Sequence, residues 1–210
     1  MAPYITLLLL TLSTIEAHTN NSSCNGFEAN FDMKSVIGPW YVVAIIPEKL
    51  YPDKPVTCYR VEFSETDEAG LRWLVNKTLD HHQNLTDIKG TIIRQRYHAE
   101  HPFDVWSKSV GGAGCFQQVL SLDADNSDIT KALTQEAAMQ LHILEPEDGT
   151  GPYLVQILWG RMISAVIYRK HKGTTQDQLR SIFELMSKLR GPQRLPMICE
   201  KYQKEFLNFD

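Results

Sequence analysis

The chain has 210 residues, of which 43% are hydrophobic, and a formal net charge of −4 at pH 7. That length suits one domain, and so small a net charge gives no electrostatic footprint for nucleic acid or an anionic membrane surface. None of the four cysteines, Cys24, Cys58, Cys115 and Cys199, lies in a C-x-x-C pair, which argues against a zinc ribbon or a redox dithiol.

Ile5 to Ile15 is an uncharged apolar run, and Ala17 supplies a small residue just after it. This is the pattern of a secretory signal peptide over residues 1–17, and the run is shorter than the ~20 residues a membrane span needs. Residues 18–210 then form a single domain. Four N-x-[ST] sequons, at Asn20, Asn21, Asn76 and Asn84, fit an extracellular glycoprotein. In a secreted chain an even number of cysteines implies disulfides, and four permit three connectivities.

From about residue 39 to 169 the chain is a series of short strand-like runs. The first is Pro39–Ile46, entered through Gly38, whose missing Cβ allows a tight bend. Thr57–Ser64 follows, with Tyr59, Val61 and Phe63 alternating against Cys58, Arg60 and Glu62, the period of a strand with one buried face. Asp67–Gly70 reads as a turn that folds Leu71–Leu79 back as a hairpin partner. A glycan on Asn76 would face solvent, which turns Trp73 and Val75 inward. Further strands are expected at Ile88–Tyr97, Phe103–Val110, Phe116–Leu122, Met139–Leu144, Tyr153–Trp159 and Ile163–Arg169. An acidic loop at Asp123–Asp128 and a short helix at Ile129–Gln135 interrupt them.

The period changes after the last strand. Leu179, Ile182, Phe183, Met186 and Leu189 recur at helical spacing. Thr175 and Gln178 make a capping box, and Gly191-Pro192 supplies the stop. A helix over about 175–190 is therefore expected outside the sheet, followed by a tail over 191–210. Many antiparallel strands with short turns and one late helix make an all-β, eight-stranded up-and-down barrel, which has room for side chains or one small ligand.

Asn30-Phe31-Asp32, Gly38-Pro39-Trp40-Tyr41 and the closing Tyr168-Arg169 together resemble the lipocalins, nearest their apolipoprotein D-like and insect group. The resemblance is specific at both ends of the barrel. In the middle the chain departs from it, with Glu145 to Tyr153 where the family often has Thr-Asp-Tyr, and with Cys115 earlier than the usual strand cysteine. The resemblance implies that Gly38, Trp40 and Arg169 close one end of the barrel, with Arg169 stacked on Trp40. It also implies the disulfides Cys58–Cys199 and Cys24–Cys115.

The function so implied is extracellular binding, and transport or sequestration, of a small hydrophobic molecule. Strand alternation places Val42, Ala44, Tyr59, Val61, Phe63, Trp73, Val75, Leu141, Ile143 and Tyr153 inside the barrel, where most serve as core and those nearer the open end meet the ligand. The alternative is a salivary-type modulator that binds another protein, a cell-surface partner or a biogenic amine. A monomer or weak dimer is expected. His81-His82 and the pair His98 and His101 are read as solvated rather than as ligands of a metal, so no metal or cofactor is expected, with haem or a bilin as the minor alternative. No G-x-S-x-G or H-E-x-x-H motif is present, and four cysteines in two bridges leave no thiolate nucleophile, so an enzyme is not expected.

Overall fold

A computed structural model describes residues 24, 27–48, 56–66, 91–123, 138–146, 149–159 and 163–202. The expected signal peptide, all four sequons, Trp73 and Val75, His81-His82 and the short helix at 129–135 lie outside these residues.

Alternation makes the wall. In β3 (Arg60–Thr66), Val61 and Phe63 are fully buried while Glu62 and Glu65 are exposed. β1 (Gly38–Pro47) pairs antiparallel with β3, and Trp40 lies opposite Val61. β3 then pairs with β4 (Ile92–His98) from Arg60↔His98 to Thr66↔Ile92. The sheet continues through β5 (Phe103–Ser109), β6 (Cys115–Asp123), β7 (Ala138–Leu144), β8 (Tyr153–Trp159) and β9 (Ile163–Arg169). β9 returns to β1, with Tyr41 opposite Arg169 and Ile45 opposite Val166, which closes an eight-stranded antiparallel barrel. The hairpin partner expected for β3, Leu71–Leu79, lies outside the described residues. Among the described residues, the partner of β3 along 60–66 is β4.

Two cores follow from the two faces of this wall. The inner one gathers Trp40, Val42, Val61, Phe63, Ile93, Phe116, Met139, Leu141, Ile143, Leu154 and Tyr168, with Val36 below them. The outer one lies between the wall and a helix and includes Val43, Ala44, Ile46, Tyr153, Val155, Ile157, Ala165 and Ile167. That helix, α2, spans Arg180–Arg190, shorter than the expected 175–190. Leu179, Ile182 and Met186, on one side of it, are completely buried. Side chains of this size contribute about 1.5–3 kcal/mol each on full burial. The Thr175–Gln178 capping box forms one turn ahead of the helix: the Thr175 amide donates to Gln178 Oε1 at 3.1 Å, and the Gln178 amide to Thr175 Oγ1 at 3.4 Å.

One end of the barrel is plugged. Residues 27–32 run along β7, where Gln140 Nε2 donates to the Phe27 carbonyl at 2.8 Å and the Ile143 amide to the Asn30 carbonyl at 2.7 Å. They lead into a single helical turn, α1 (Met33–Val36), capped by Asp32, which accepts from the Ser35 amide. Gly114 permits this close fit: a Cβ there would sit 2.3 Å from the Leu141 carbonyl oxygen and 3.0 Å from Phe31. Two disulfides brace the structure, Cys24–Cys115 at this plugged end and Cys58–Cys199 toward the other.

Candidate ligand site

Trp40 marks the closed end. It is 1% exposed, and its indole Nε1 donates to the Val36 carbonyl at 2.7 Å. The cation over its ring is not Arg169. Lys170 Nζ lies 3.7 Å from the Trp40 centroid, whereas the Arg169 guanidinium lies over Tyr153, 5.0 Å from that ring's centroid. The physical reason is strand parity. Tyr168 faces the inner core with Trp40, so Arg169 must face outward, and Lys170 returns to the inner side at the barrel's end. Arg169 instead donates to the carbonyls of Thr150 and Gly173, at 2.6 and 3.1 Å, and ties two loops outside the wall. Partial burial beside the indole lowers the Lys170 pKa from its ordinary value.

Parity also moves two expected cavity residues outside. The pairing of β1 with β9 shifts by one residue between Val42 and Ala44, a bulge that puts two residues of β1 opposite one of β9. Val42 therefore points inward while Ala44 joins Val43 and Ile46 in the outer core. Tyr153 likewise lies outside, under Arg169, with its hydroxyl 3.1 Å from Thr174 Oγ1. β8 is buried on both faces, so its sequence, Tyr-Leu-Val-Gln-Ile, carries no polar alternation from which to choose a face.

At the end opposite Trp40 the wall encloses a pocket of about 420 Å³. Val42 and Ile45 of β1 and Ile163 and Val166 of β9 form an aliphatic side. Tyr59, Tyr97 of β4, and Phe103 and Val105 of β5 form a largely aromatic side. Val56 and Thr57, which begins β2 (Thr57–Cys58), complete the mouth with Met197. The aromatic side is rigid: Tyr97 and Phe103 stack with centroids 4.5 Å apart, and Tyr59 meets both edge-on at 6.0 and 6.4 Å. Among the described residues, no lining residue carries an ionisable acid or base other than the two tyrosines.

Of the residues assigned to the interior from the sequence, Val42 and Tyr59 line this pocket. Val61, Phe63, Leu141 and Ile143 face inward but belong to the filled core toward the closed end. Phe103 and Val105 were missed although they alternate with Asp104 and Trp106 within an expected strand. Tyr97 was missed because Gln95, two residues earlier and on the same face, is polar.

Gln95 is part of a buried polar cluster behind the pocket. Gln95 Nε2 donates to Gln156 Oε1 at 3.1 Å, as does the Tyr168 hydroxyl at 2.5 Å. With its own proton committed to Gln156, Tyr168 accepts from the Tyr97 hydroxyl at 3.1 Å. Gln156 Nε2 donates to Met139 Sδ at 2.9 Å. Buried polar groups are tolerated when each finds such partners. Burial pushes the Tyr97 hydroxyl up to about 12 and raises that of Tyr168 well above its ordinary value, so both stay neutral. Tyr97 thus spans two environments, its ring on the pocket and its hydroxyl in the cluster.

The described histidines are not among the residues that line the pocket. His98, on β4, pairs with Glu62 at 3.6 Å, and desolvation, followed by the nearby Arg60 charge, lowers its pKa. Among the described residues no group of three or more His, Cys, Asp or Glu side chains is arranged to hold a metal. Compared with known proteins, the chain matches no family model and no curated protein sequence.

Proposed function

We propose that this protein is an extracellular lipocalin-type carrier that holds one small, neutral, mainly apolar molecule in the upper half of its barrel. The observation that carries the reading is the 420 Å³ pocket, whose size and apolar, aromatic lining suit such a ligand. The two disulfides favour an oxidising compartment, and no described helix is long and apolar enough to cross a membrane. A biogenic amine is disfavoured, because a buried ammonium needs a paired counter-charge and none of the described residues that line the pocket is a carboxylate.

The test is a fluorescence titration with N-phenyl-1-naphthylamine, an uncharged aromatic probe. The reading expects saturable one-to-one binding, weakened at least tenfold in Val166→Trp, where a half-buried wall residue is enlarged into the cavity. Absence of saturable binding, or equal binding by the variant, would count against it.

A further inference from the structure

We propose that the C-terminal strap, residues 197–202, is a wall of the ligand pocket, and that the Cys58–Cys199 disulfide holds this wall shut against ligand release. The inference rests on the ligand-binding reading above and adds to it the element that controls entry and exit.

The barrel has a seam. β1 and β3 are paired only from Gly38↔Phe63 to Tyr41↔Arg60, in the half nearer the plugged end. Beyond Tyr41 the ladder stops, with one further bond from the Val42 amide to the Tyr59 carbonyl at 2.9 Å. The other edge of β1 stays paired with β9 as far as Pro47. Left open, the seam would expose unpaired backbone groups and the pocket beside them.

The chain's own C-terminal segment fills it. β10 (Met197–Ile198) pairs antiparallel with β1, placing Met197 opposite Ile45 and Ile198 opposite Ala44. β11 (Lys201–Tyr202) then pairs parallel with β2, on the far side of the seam. Although only two residues long, β10 alternates as a barrel strand does. Met197 lines the pocket together with its partner Ile45, while Ile198 packs on the outer core with its partner Ala44.

Among the described residues, the strap is attached by few hydrogen bonds apart from the disulfide. Each of its two ladders has two residue pairs. To these the Cys199 amide adds a bond to the Val43 carbonyl at 3.0 Å, and Gln176 Nε2 one to the Pro196 carbonyl at 2.9 Å. Segments held by so few hydrogen bonds open locally before the rest of a fold. Cys58–Cys199 joins the strap to β2 at the midpoint between the two ladders, and Cys58 immediately follows the pocket residue Thr57. The bridge therefore ties together the two sides of the mouth.

The experiment follows N-phenyl-1-naphthylamine release by stopped-flow dilution in the full chain. The double variant Cys58→Ser/Cys199→Ser should release the probe at least tenfold faster while keeping its near-UV dichroism. Cys24→Ser/Cys115→Ser, which removes the bridge at the plugged end, should release it at the wild-type rate. Met197→Trp, which leaves both bridges intact, should bind at least tenfold more weakly because the larger side chain occupies the pocket. An unchanged release rate in the folded Cys58→Ser/Cys199→Ser protein, or unchanged affinity in Met197→Trp, overturns the inference. Where the serine variant does not fold, Met197→Trp decides. A wild-type protein that binds no probe removes the ligand-binding reading itself, and the inference with it.

Discussion

Replacing Trp40 with alanine should cost the fold about 3–5 kcal/mol, the usual range for truncating a fully buried aromatic side chain. The structure gives reasons to expect the upper half of that range. The indole is 1% exposed among Val36, Val61 and Phe63, so its removal leaves a cavity inside the inner core. It also strands the Val36 carbonyl, which the indole N–H satisfies at 2.7 Å, and a lost hydrogen bond of this kind is worth about 1 kcal/mol. The Lys170 contact adds about 0.5–2 kcal/mol. Urea denaturation at pH 7, followed by far-UV circular dichroism rather than by tryptophan emission, reads the effect. With a slope of about 2 kcal/mol per molar urea, the midpoint should fall by roughly 1.5–2.5 M. Trp40→Phe, which keeps most of the ring and loses the N–H bond, should lie between the two. A midpoint for Trp40→Ala within 0.3 M of wild type would refute the assignment of Trp40 to the sealed end.

Other consequences are open to direct measurement. A double-mutant cycle between Trp40→Phe and Lys170→Met should show coupling of a few tenths to about 1 kcal/mol, because only part of the cation–π contact is lost. The same cycle with Arg169→Met should show none, and the reverse order would restore Arg169 to the position expected from the sequence. Gln156→Leu removes the acceptor shared by Gln95 and Tyr168, leaves both donors buried, and should destabilise by about 1–3 kcal/mol per orphaned group. An unchanged melting temperature would mean that the cluster is hydrated. His142 Nδ1 accepts the Asn30 amide at 2.9 Å, which only the neutral ring can do, and burial lowers its pKa. The unfolded chain then binds the proton more readily, so this contribution is present above about pH 6.5 and is lost as the pH falls below it. The protection factor of the Asn30 amide, taken relative to its intrinsic exchange rate at each pH, should fall on acidification in wild type and stay flat in His142→Asn.

The sequence was most informative where one face of an element is dry and the other wet. Val61 and Phe63 alternate with charged neighbours, and β3 lies where that pattern puts it. In β7 Met139, Leu141 and Ile143 face inward as their alternation requires, although Gln140 on the other face is buried beneath residues 27–32. The capping box and the terminating Gly191, at φ 77°, were equally legible because their chemistry is local. Orientation failed where the pattern is interrupted or saturated. A bulge after Val42 carries Ala44 outward, and β8, dry on both sides, gives no clue that Tyr153 faces out. Gln95 and Gln156 were invisible as interior residues, since each is satisfied by a partner far away in sequence. The strap was missed for a similar reason. A two-residue strand has no period, and only its register with β1 reveals Met197 as a pocket residue.

The central claim, that the upper barrel holds a neutral apolar molecule, is tested most directly by native mass spectrometry of the full chain purified from its source. The account predicts a single non-covalent adduct of a small uncharged molecule, released on unfolding and displaced by N-phenyl-1-naphthylamine. An adduct that the probe fails to displace, or one that is a cationic amine, would contradict it.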